Sequence, residues 1–214
     1  NTIMYNFNGI GPTGSEYILI KNNTASYNSG AGITSTGPYS TISNNTVTNN
    51  PAVGISLSGG LCIVANNTIL RNGDGDHGGI YVCAYPGWKT IIDHNIIAEN
   101  TGDGITLAIN SLNYNITNNW DGISLCLSSN NIICNNTIAR NNYYGIGITG
   151  GSGNIIHHND FIRNREGQAC VSGTTNSWDD SYPSGGNYWS DYNGTDLYRG
   201  PYQNITGGDG IGDC

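Results

Sequence analysis

Ile42-Ser43-Asn44-Asn45-Thr46-Val47-Thr48-Asn49-Asn50 and Val64-Ala65-Asn66-Asn67-Thr68-Ile69-Leu70-Arg71-Asn72 carry one pattern twice, 22 residues apart. Each has an aliphatic residue, then an asparagine three positions on, a second aliphatic two beyond it, and another asparagine five beyond the first. The pair N-x-x-x-x-N recurs at Asn1/Asn6, Asn23/Asn28, Asn45/Asn50, Asn67/Asn72, Asn95/Asn100, Asn113/Asn118, Asn136/Asn141 and Asn159/Asn164. Self-similarity at twenty-odd residues is the signature of a solenoid whose repeats stack only on their neighbours. Ile33, Ile55, Ile105, Ile123 and Ile146 follow ten residues after the first asparagine, usually behind glycine; Leu57, Leu107, Leu125, Ile148 and Val171 follow two later. These are short period-2 segments of aliphatic, largely β-branched residues between Gly, Asn, Ser and Asp, which is strand and turn chemistry. Three strands per repeat predict an all-β parallel β-helix of about eight coils, residues 1–173, followed by an irregular cap, residues 174–214.

The asparagines have a structural task in such a coil. A corner needs sharp backbone, which Asn tolerates, and amides stacked about 4.8 Å apart hydrogen-bond from coil to coil. The coil at Asn113 is the weakest, with Ser111 and Asn115 where aliphatics belong, and is expected to be distorted. The first pair begins at Asn1, so the chain opens inside a repeat; it reads as stacking on a neighbouring copy or as a piece of a longer chain.

Composition narrows the function. Charged residues are 10% of the 214, with 32 glycines and a formal charge of −8. There is no basic stripe for nucleic acid and no apolar run long enough to span a membrane. Cys62, Cys83, Cys126, Cys134, Cys170 and Cys214 form an even set without CxxC spacing, which favours disulfides in an oxidising compartment over zinc. Cys83 and Cys126 share a register two coils apart, about 10 Å, beyond disulfide reach without bending. Seven N-x-S/T acceptors for glycosylation occur, at Asn22, Asn44, Asn66, Asn115, Asn135, Asn193 and Asn204. Four of them stand directly before a ladder asparagine, where a side chain faces out.

Past residue 174 the repeat gives way to Tyr, Trp, Gly and Asp. Tyr182-Pro183-Ser184-Gly185-Gly186-Asn187-Tyr188-Trp189-Ser190-Asp191-Tyr192 and Asp209-Gly210-Ile211-Gly212-Asp213 resemble the C-terminal signature of NosD-like β-helix proteins, abundant among surface and secreted proteins of methanogenic archaea. The resemblance covers nearly the whole chain and implies a right-handed, pectate-lyase-like β-helix at the cell surface. It also implies a periplasmic copper-binding label, for which this chain offers few residues: His94 and His158 share a register three coils apart, and His157 and His158 should point to opposite faces of a strand. Asp191, Asp196, Asp209 and Asp213 are the better metal candidates, for calcium on flexible oxygen-rich backbone. Aromatic residues of the tail, among them Trp178 and Trp189, should pack it onto the last coil.

Two functions compete. Low charge, cysteines and a bare first coil suit a self-assembling envelope protein such as a sheath, surface layer or filament subunit, its partners copies of itself and surface glycans. The alternative is a polysaccharide hydrolase or lyase. Asp103 and Asp121 stand two residues before core isoleucines in successive coils, so their carboxylates stack about 5 Å apart, a spacing known for glycoside hydrolysis. Asp74, Asp76 and His77 lie one coil away, and Lys89 is the one cation near that register. Asp179-Asp180 falls in the tail instead of a coil.

Overall fold

A computed structural model describes residues 1–75, 77–83, 90–108, 115–117, 122–172, 175–199 and 204–208. It is a parallel β-helix of about seven turns with three faces, the fold class expected from the repeat. The first face carries Thr2–Met4, Thr24–Ser26, Thr46–Thr48, Thr68–Leu70 and Ile96–Ala98, and resumes with Thr137–Ala139, Asp160–Ile162 and Tyr188–Trp189. The second carries seven strands from Ile33–Ser35 to Gly167–Ser172; the third carries seven from Leu19–Lys21 to Ile155–His157. The ladders run in register, with Val47 paired to Ile69 and Ile42 to Val64, so identical columns stack. Inward-facing residues Ile42, Val47, Ile55, Leu57, Ile69 and Ile97 are fully buried in one continuous core. At the far end Val171 departs from the core expected of it and is 41% exposed.

Asparagines hold the corners. The Asn67 side chain donates to Ile42 O at 2.9 Å and Asn95 Oδ1 at 3.0 Å, while its Oδ1 accepts from the Asn45 backbone N–H at 2.9 Å and Asn45 Nδ2 at 3.0 Å. A buried amide is stable only when so paired. The left-handed residue of each corner is not the ladder asparagine, as expected, but the residue before it: Asn44, Asn66, Asn49, Arg71, Tyr39 and Leu61 all have φ between 55° and 59°. Tyr, Arg and Leu have no local preference for that conformation, so the ladder and the core impose it.

A third corner column joins the second and third faces. Its buried members are Ser40, Cys62, Thr90, Asn131 and Asn154, and Asn131 and Asn154 donate onward to Asn154 and Asn176. Asn187 likewise extends the first ladder, accepting from Asn159 at 2.9 Å, and Trp189 stacks on Phe161 with ring centroids 4.6 Å apart. The tail aromatics Trp178 and Trp189 thus pack on the last coil as expected, whereas Tyr182, Tyr188, Tyr192 and Tyr198 of the same tail are exposed.

One turn is short. Thirteen positions separate Ile92 on the third face from Ile105 on the second, and thirteen separate Ile133 from Ile146. Only seven separate Ile116 from Ile123, although pairing fixes both in those same columns. Pairing places Ile116 in the column of Ile92 and Ile133, while the expected pair Asn113/Asn118 lies outside the described residues.

Candidate functional site

Among the described residues no first-face strand pairs between Ile96–Ala98 and Thr137–Ala139, while the other two faces continue unbroken. A cleft of ≈ 420 Å³ lies beside this break, lined by Glu99, Thr101 and Asp103 from one coil and Arg140, Asn142 and Tyr143 from another, with Tyr144 at its edge. Tyr143 is 73% exposed, so its ring offers a face to any ligand. Glu99 is held by Arg71 through a 2.7 Å ion pair.

Asp103 begins a strand of the second face, opposite His77. One edge of it is open, but neighbouring atoms crowd the carboxylate. This partial desolvation pushes its pKa above the ordinary value of 3.8, against the opposing pull of Ser124, Thr106 and His77. A raised carboxyl binds its proton more tightly folded than unfolded, so it subtracts stability as pH rises above 3.8. Asp103→Asn is therefore expected to melt higher than the parent at pH 7, by less than about 1 kcal/mol given the exposure. The gap should close near pH 3; thermal melts at both pH values check the sign. His77 sits edge-on to Tyr81 at 4.4 Å, and its backbone N–H donates to Asp74 Oδ1. Asp121, Asp76 and Lys89 lie outside the described residues, so the expected Asp103/Asp121 pair reduces here to Asp103 with Glu99 in the same cleft.

The five described cysteines are free, with no disulfide joining any two of them within the chain. Cys62 fills a buried corner position, where its Sγ lies 3.4 Å from Gly60 O and desolvation raises its pKa. Cys83, Cys126 and Cys170 stand on the outside of different coils of the second face, and Cys134 is on the third; Cys214 is outside the described residues. The sequon residues Asn22, Asn44, Asn66, Asn135, Asn193 and Asn204 are all exposed, and Asn115 begins a strand of the third face.

Of the calcium candidates, Asp191 Oδ2 receives Gln168 Nε2 at 3.4 Å and Asp196 lies against Gly208. Neither joins a group of three ligating side chains among the described residues, and Asp209 and Asp213 lie outside them. The histidines depart from expectation. His158 is a corner residue at φ 53°, so its ring swings back and meets that of His157, Nδ1 to Nδ1 at 2.7 Å, instead of facing away. Asp180 joins them, all ligand atoms within 4.8 Å. His94 instead pairs with Asp93 at 2.6 Å.

The class follows from the fold and its comparisons: a right-handed parallel β-helix with an open side cleft. The model of the right-handed β-helix region matches residues 1–120. The model of the periplasmic copper-binding protein (NosD) matches residues 62–194, and the chain belongs to this NosD family. A periplasmic family description agrees with an extracellular or cell-envelope location. No curated protein matches the chain. Among solved structures it is similar to the catalytic unit of a thermostable GH87 α-1,3-glucanase from Streptomyces thermodiastaticus strain HF3-3, at 14% identity and TM-score 0.62, over 89% of this chain and 48% of that one. The chain thus spans about half the length of that unit, and the likeness is one of fold. The Dettilon tailspike protein gp208 (16%, TM-score 0.47, 78% of this chain and 47% of that one) and an alginate lyase from Paenibacillus sp. str. FPU-7 (15%, TM-score 0.34, 88% of both) resemble it more loosely. His157, His158 and Asp180 are nitrogen and oxygen donors that fit a copper ion, whereas the described chain has a lone Met4 far along the helix.

Proposed function

We propose that this protein recognises a neutral polysaccharide outside the cytoplasm, holding it in the cleft beside the short turn. The observation that carries the reading is the cleft itself: a volume in the range of ligand sites, with an exposed tyrosine face and a carboxyl, amide and guanidinium set around it. Glu99 is paired with Arg71 and Asp103 shares the cleft with Arg140, so the cleft has no surplus of positive charge to hold a polyuronate. Asp103, its pKa raised, suits the proton donor of a glycosidic cleavage, with Glu99 as the second carboxylate. Of the two readings drawn from the sequence, self-assembly into a sheath, layer or filament and carbohydrate recognition, the cleft favours the second.

Affinity electrophoresis in gels containing neutral glucans or polyuronates tests it. Retardation by a neutral glucan should fall about tenfold or more in Tyr143→Ala, in line with losing an aromatic contact and its buried area. Asp103→Asn should bind as the parent does while releasing no reducing ends. Equal mobility of parent and Tyr143→Ala in every glucan would sink the reading.

A further inference from the structure

We propose that His157, His158 and Asp180 form a binding site for one late first-row divalent transition ion, with nitrogen and oxygen ligands, at the corner between the third and first faces in the last full coil of the solenoid. The argument begins with protons. His158 Nε2 lies 2.8 Å from Ser184 O, and a carbonyl only accepts, so Nε2 carries the hydrogen. Neutral His158 then has its lone pair on Nδ1, which lies 2.7 Å from His157 Nδ1. Two imidazole nitrogens so placed share either a proton or a cation.

Three further features favour the cation. A metal-ligating histidine characteristically donates its other N–H to a backbone carbonyl, which is what His158 does with Ser184. Ligands about 2.0 Å from an ion and 90° apart are themselves about 2.8 Å apart, close to the observed nitrogen separation. The third donor is delivered by construction. The turn 178–187 folds back over the last coil, Asn187 Nδ2 donating to both Trp178 O and Ile156 O, and the Asp180 N–H donates to Gly185 O. Ser184 Oγ then donates to Asp180 Oδ2 at 3.0 Å, orienting the carboxylate toward the rings, while Asp179 is occupied by the Ser181 N–H. Cys134 is the strand partner of His157 and sits beside the group without belonging to it.

The repeat itself supplies substitutions that spare the fold. Asn22, Asn44, Asn66 and Asn135 occupy the left-handed corner position that His158 occupies, and Ser43 occupies the strand position of His157. Calorimetric titration of the intact chain with Ni2+ and Zn2+ should show one saturable site, and Ca2+ and Mg2+ none. His158→Asn and His157→Ser should each weaken it at least about a hundredfold, and Asp180→Asn about tenfold. His94→Ala and Cys134→Ser should bind as the parent does, and circular dichroism should show all variants folded. Absence of a saturable site in the parent overturns the proposal. So does binding that survives His158→Asn, or that disappears in Cys134→Ser, which would assign the ion to the thiol.

Discussion

Asn67→Asp is expected to destabilise the protein by about 3–5 kcal/mol at pH 7, although it changes one atom's identity and almost no volume. The asparagine makes four ladder contacts. Its oxygen accepts from the Asn45 backbone and side chain, and an aspartate oxygen can do the same. Its nitrogen donates to Ile42 O and Asn95 Oδ1, and there the aspartate places an acceptor against two acceptors. Both partners are buried, as the site is, with Asn67 1% exposed. Leaving a buried polar group unpaired costs about 1–3 kcal/mol, and a buried charge adds to that. Urea unfolding at pH 7 reads the loss. At pH 3, where the new carboxyl is protonated and again donates one hydrogen bond, part of it should return. A variant within about 1 kcal/mol of the parent at pH 7 would mean that the ladder is packing alone and its hydrogen bonds are interchangeable with water.

The same requirement explains what was legible in the sequence. A neutral residue that must accept twice and donate two hydrogens, to a carbonyl of one coil and a side chain of the next, has to be a primary amide, so the first two corners repeat one letter and the period is plain. The third corner asks only for a small buried group. Ser40, Cys62 and Thr90 satisfy it in successive coils, Cys62 N–H donating to Thr90 Oγ1, and asparagine takes over only at Asn131 and Asn154, so the sequence shows no column along most of its length. Cys62 therefore looked like half of a disulfide when it is a corner residue. The short turn was visible as a weak repeat, but its register was not: Ile116 is identified by the strands on either side of it, which spacing alone does not supply. The histidine cluster had no local signal. It depends on a left-handed backbone at His158 and on a loop more than twenty residues downstream, and a strand-based reading sent the two rings apart.

Gly79→Ala is expected to lower stability by about 2–4 kcal/mol and to weaken glucan retention in the cleft, two losses from one methyl group. A Cβ at Gly79 would collide with Gly104 O and with Ile97 Cγ2. Neither can yield easily. Ile97 is fully buried in the core, and Gly104 is the residue after Asp103, in the strand that forms one wall of the cleft. Overpacking a filled core costs about 1–3 kcal/mol, and displacing backbone raises it. The glycine before several second-face isoleucines is thus a packing requirement: Gly32, Gly54 and Gly145 would likewise meet Val47, Ile69 and Phe161 of the adjoining first face. Gly147 supplies the contrast within the same sheet. Nothing lies within 4 Å of its absent Cβ, so Gly147→Ala should be neutral or stabilising by up to about 1 kcal/mol, since it removes unfolded-state freedom. Parallel melts of the two variants separate close packing from glycine's backbone freedom. If Gly79→Ala lost stability but kept full glucan retention, Asp103 and its strand would not form the binding wall, and the sugar would have to be held from the Arg140–Tyr144 side alone.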